Sequence, residues 1–162
     1  MALKDILFQG VSVSYSGVFD FKGFYKVLKN WLKSNNYDFI EKDYKETQKN
    51  GHRLLMIKII ADKKLDDYIK KWIELTINTD LVRVEVKKGE RKILMDQGRA
   101  SLTFTAMLLK DYEDNYEKRP FATFIREVHD KFIDFSRIDK AKMDLRDDVY
   151  SIIAEFKNFF KS

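Results

Sequence analysis

Cysteine is absent from this chain of 162 residues, proline occurs once and histidine only twice. The missing cysteine excludes disulfides, thiolate nucleophiles and cysteine-ligated metals. Two histidines, His52 and His129, leave little for an imidazole-based site. No segment matches a nucleophile elbow, a phosphate-binding loop or a dinucleotide fingerprint. No apolar run approaches the ~20 residues that a membrane-spanning helix needs, and residues 1–8 do not read as a signal peptide. The expectation is an intracellular, cytoplasmic protein that uses no cofactor and no metal.

What is present suits a folded domain. Apolar residues make up 44% of the chain and aromatic residues 14%, enough to build a core in a single domain of this length. The net charge of +5 comes from 31 basic and 26 acidic residues interspersed along the sequence. Interspersed charge mainly confers solubility, whereas nucleic-acid binders concentrate their excess, so nucleic acid is not the expected partner. The lysine-rich, proline-poor composition suits a hyperthermophile, and equally an A/T-rich genome.

Residues 4–15 alternate with a period of two and read as a strand. Asp20 stands where a helix N-cap belongs, and Phe21, Phe24, Tyr25, Leu28, Trp31 and Leu32 then share one helical face. Asn35-Asn36 ends that helix. Asn50-Gly51 is a strong hairpin signal between strands at 37–48 and 53–61. The second of these is apolar at nearly every position, which predicts cover on both faces. Further strands are expected at 68–79, 81–87, 91–95 and 99–109, with turns at Asn78-Thr79-Asp80, Gly89 and Gln97-Gly98. Pro120 suits the first turn of a helix whose apolar stripe includes Phe121, Phe124, Ile125, Val128, Phe132 and Phe135. After a break at 136–139, a last helix over 140–161 carries Leu145, Val149, Ile152, Phe156, Phe159 and Phe160.

The fold class is therefore α+β, a curved antiparallel sheet of about seven strands gripping a C-terminal helix. One helix follows strand 1, and an extra helix ends the chain. Over residues 4–135 this order resembles the helix-grip arrangement of the START-like superfamily. It departs from that pattern in having one helix after the first strand and a helix beyond the gripping one. The resemblance implies a cavity between sheet and helix that would hold lipids or other apolar small molecules. Ile57, Ile73, Leu75, Phe104, Phe124 and Val128 would line it, with His129 at its edge.

Other patterns carry less. Lys22, Lys26, Lys29 and Lys33 form a stripe on the first helix, which could meet phosphates but reads first as a solvated face. The adjacent pairs Asp66-Asp67 and Asp147-Asp148 diverge in direction and read as solvated charge. Asp111, Glu113 and Asp114 lack the spacing and turn glycine of a calcium loop. Leu54, Met56, Ile60, Tyr68, Trp72, Met107 and Leu109 fall on strand positions opposite the expected core, where a water-facing surface should not be so apolar. Two functions follow. One is a non-enzymatic binding protein for an apolar small molecule or lipid. The other is an interaction protein that forms a homodimer through its outer sheet face and last helix, with no ligand.

Overall fold

A computed structural model describes residues 3–110 and 135–161. Its element order is β1 (Leu3–Phe19), α1 (Phe21–Ser34), β2 (Asp38–Lys49), β3 (His52–Lys64), β4 (Ile69–Lys88), β5 (Arg91–Lys110) and α2 (Phe135–Lys161). Among the described residues the strands form one five-stranded antiparallel sheet in the order β1-β5-β4-β3-β2. The α+β class holds. The expected seven strands are five, because two pairs of short strands are each continuous.

Asn78-Thr79-Asp80 and Gln97-Gly98 carry turn residues but lie within β4 and β5. The register explains why neither ends its strand. Asp80 stands opposite Arg99 and Leu81 opposite Gly98, so the two turn-like segments are at the same level of the ladder. Gly98 has φ 152, and a Cβ there would come within 1.9 Å of the Asp80 carbonyl oxygen. Glycine at this position lets the two backbones pass closely, and pairing continues through it. Asn50 and Gly51, with φ 53 and 80, make the tight β2–β3 turn as their sequence demands.

In β1 the simple alternation fails. Register shifts between Ile6 and Phe8 and between Gln9 and Val11 are β-bulges, with Gly10 at φ 67 in the second. They bring Phe8, Val11, Val13 and Tyr15 onto the inner face, opposite Ala106, Phe104, Leu102 and Ala100. In β3, Leu55, Ile57, Ile59 and Ala61 are buried while Leu54, Met56 and Ile60 are not. Among the described residues its apolar run is therefore fully buried on one face and only partly covered on the other, where cover on both had been expected.

Both helices pack on the inner face. Helix α1 buries Phe21, Phe24, Leu28, Trp31 and Leu32, and it closes with the Tyr37 and Asn36 amides donating to the Leu32 and Lys33 carbonyls around Asn36 at φ 62. Helix α2 buries Ile138, Ala141, Leu145, Val149, Ile152 and Phe156, spaced three or four apart. Its described span, Phe135–Lys161, includes residues 136–139, where the sequence predicts a break. The last helix thus docks on the inner face of its own chain, where the sequence had suggested the outer face or a second copy. Phe160 stacks on Tyr15 at 4.1 Å and meets Phe19 edge-on at 4.9 Å, which ties down the end of α2.

Candidate functional site

Four of the residues expected to line a ligand cavity, Ile57, Ile73, Leu75 and Phe104, lie side by side on the inner face. Each is at most 1% exposed. Ile57 pairs with Ile77, Leu75 with Ile59 and Phe104, and Ile73 with Ala61 and Ala106. The other three, Phe124, Val128 and His129, lie outside the described residues, as do the expected gripping helix and Asp111, Glu113 and Asp114. Between sheet and helices, Phe24, Leu28, Trp31, Leu102, Ile152 and Phe156 bound a space of about 10 Å³. That holds one water at most, whereas a small ligand needs roughly 300 Å³. Among the described residues, the four inner residues belong to the buried apolar cluster that forms the core.

One charged side chain interrupts this apolar surface. Lys71 occupies an inward position of β4 between Ile69 and Ile73 and is 4% exposed. Its Nζ lies 2.8 Å from Asp148 Oδ2 on α2, and the Tyr37 hydroxyl donates to the same oxygen at 2.5 Å. Tyr37 stacks on Trp31, whose Nε1 donates to Ser151 Oγ at 2.9 Å. Burial, and then the bond to Asp148, push the Tyr37 phenol far above the ordinary tyrosine range. It stays neutral and donating, so it is no general base near pH 7. The cluster joins α1, β4 and α2 into one unit. Asp148 is therefore not the solvated charge its sequence context suggested.

Two other carboxylates have partners that sequence spacing could not reveal. Asp66 accepts from the Tyr68 and Ile69 amides, each at 2.7 Å, and pairs with Arg137. Asp96 is buried and accepts from the Phe21 amide at 3.2 Å, with Arg83 Nε at 3.5 Å on its other oxygen. Asp20 occupies the N-cap position as expected but makes no side-chain cap. A residue 75 positions away satisfies the helix N-terminus instead.

The larger grooves are at the surface. One of about 410 Å³ runs past Ser16, Gly17, His52, Asp80, Gln97 and Arg99. His52 Nδ1 lies 2.7 Å from Asp80 Oδ1 there, with both side chains about half exposed. The wet setting gives this pair no means of excluding water from a reaction. Another groove of about 450 Å³ separates α1 from α2 near Asn30, Trp31 and Ser151. On α1, Lys22, Lys26 and Lys33 are exposed, while Lys29 sits 4.3 Å over the Tyr25 ring. Among the described residues no group of acidic and histidine side chains is arranged to hold a metal ion, and no helix is long and apolar enough to cross a membrane.

Apart from Tyr68, the outer sheet face has the residues assigned to it from the sequence. Trp72 stands opposite Met107, Met107 opposite Ile6, and Ile60 opposite Ile40. Ile6 is 48% exposed and Ile40 63%, while Met107 is buried. Tyr68, assigned to this face from the sequence, precedes β4 and is buried with the core. No protein-family model, curated protein or solved structure matches this chain.

Proposed function

We propose that this protein is a non-enzymatic interaction module that pairs with a second copy of itself through the outer face of its sheet. The observation carrying this reading is the apolar band across all five strands, Ile6, Ile40, Ile60, Trp72 and Leu109, on a face that neither α1 nor α2 covers. Such a band is uncommon on a surface that only meets water. The sheet edges favour pairing face to face. Edge strand β2 is exposed along almost its whole length, has a bulge between Glu41 and Asp43 and alternates charges. Edge strand β1 has two bulges. Both devices discourage strand addition. A two-fold pair is the simplest assembly that one face can form.

The START-like likeness belongs to the same proposal. In it α2 takes the position of the gripping helix, and the fold serves as a scaffold with a filled interior. The carrier reading would need the inner surface at Ile57, Ile73, Leu75 and Phe104 to open by the volume of a ligand.

Sedimentation velocity tests the dimer. The intact chain should sediment as a dimer at micromolar concentration, and Trp72→Glu should sediment as a monomer with an unchanged circular dichroism spectrum. A monomeric parent chain would remove the proposal.

A further inference from the structure

The β4–β5 hairpin extends past its neighbours. β3 pairs with β4 only as far as Leu81, and β1 pairs with β5 only as far as Asp96. Among the described residues, 84–88 and 91–95 therefore pair only with each other. At about 3.3 Å per residue, those five rungs project roughly 17 Å from the sheet. Gly89, with φ 63, takes the first central position of the two-residue turn, as a tight hairpin requires.

The tip places Lys87 opposite Lys92 and Lys88 opposite Arg91. All four are exposed, and among the described residues none has an acidic partner. Glu90 is in the turn, Glu85 stands opposite Leu94, and Arg83 is already engaged by Asp96. Like charges directly opposite one another destabilise a strand pair. Two such rungs in succession cost the hairpin stability, and no direct ion pair among the described residues offsets them. Spread along the sequence, these cations look like ordinary surface charge; the fold concentrates them.

We propose that the β4–β5 hairpin is an arm that binds the phosphate backbone of duplex nucleic acid by entering its major groove. A two-stranded ribbon fits that groove, which is about 12 Å wide, and the four tip cations would face the phosphates on either side. The order of residues along the arm disfavours a lipid surface. Membrane-seeking segments bury their apolar residues and leave cations at the headgroups. Here the cations form the tip, and Val84, Val86, Ile93 and Met95 lie behind them, half-buried.

Fluorescence anisotropy of a labelled DNA duplex with the intact chain tests this. Binding should weaken with salt along a slope of log K against log salt of about −3.6, the value for four phosphates. Replacing Lys87, Lys88, Arg91 and Lys92 together by glutamate should weaken it at least about tenfold at low salt. Lys22→Glu/Lys26→Glu on α1 should leave it unchanged. A single Lys87→Glu variant, which turns one repulsive rung into an ion pair, should melt no lower than the parent and shows that the arm still folds. No duplex binding, undiminished binding by the fourfold variant, or binding only to anionic vesicles would each overturn the proposal.

Discussion

Asp148→Ala should destabilise the protein by about 3 kcal/mol, the lower end of the cost of stranding a buried charge. Asp148 is the acceptor for both Lys71 and Tyr37. Without it, an ammonium group on a side chain 5% exposed keeps no carboxylate partner. The lower end applies because the Asp148 side chain is 20% exposed, which admits some water to the gap. The double variant Lys71→Met/Asp148→Ala removes the stranded charge and should recover much of the loss, since an apolar replacement of a buried pair is often neutral or better. Urea titration of parent, single and double variants checks this. Additive losses in the double variant would mean that Lys71 and Asp148 are not coupled.

Phe104→Ala should cost about 3–5 kcal/mol, the range for a fully buried phenylalanine. Phe104 is completely inaccessible and stands between Leu75 of β4 and Val11 of β1 in the ladder. The sheet beneath it is fixed by pairing on both sides, so the space cannot easily close. A loss of this size is a large share of the 5–15 kcal/mol that stabilises a typical domain. Lys26→Ala, on the exposed side of α1, should change stability by no more than about 0.5 kcal/mol. Equal midpoints for the two variants in the same titration would mean that β5 does not present Phe104 to the core.

Much of this architecture was legible in the residues. Period-two alternation gave the buried face of β5 over residues 100–108 and of β4 over residues 69–77, and Asn50-Gly51 located a turn, because both signals are local and depend on backbone geometry alone. Strand count was not legible. Asn78-Thr79-Asp80 and Gln97-Gly98 have turn composition, and only their cross-strand alignment makes them a continuous part of the ladder. The bulges of β1 were hidden for a related reason: Gly10 announces conformational freedom but not its use. Partners distant in sequence were also invisible. Lys71 reads as an ordinary lysine between isoleucines until α2 brings Asp148 to it, and Asp96 gives no sign that it will cap α1. Four of the chosen cavity residues, Ile57, Ile73, Leu75 and Phe104, lie on the inner face, yet an apolar lining and a packed core have the same composition. The difference between them is a volume, and no residue pattern encodes it.

Native mass spectrometry of the purified, intact chain is the most direct test of a domain that acts through its surfaces around a filled interior. The expected result is a dimer at twice the chain mass with no small molecule retained. A monomer carrying a bound apolar molecule would contradict it.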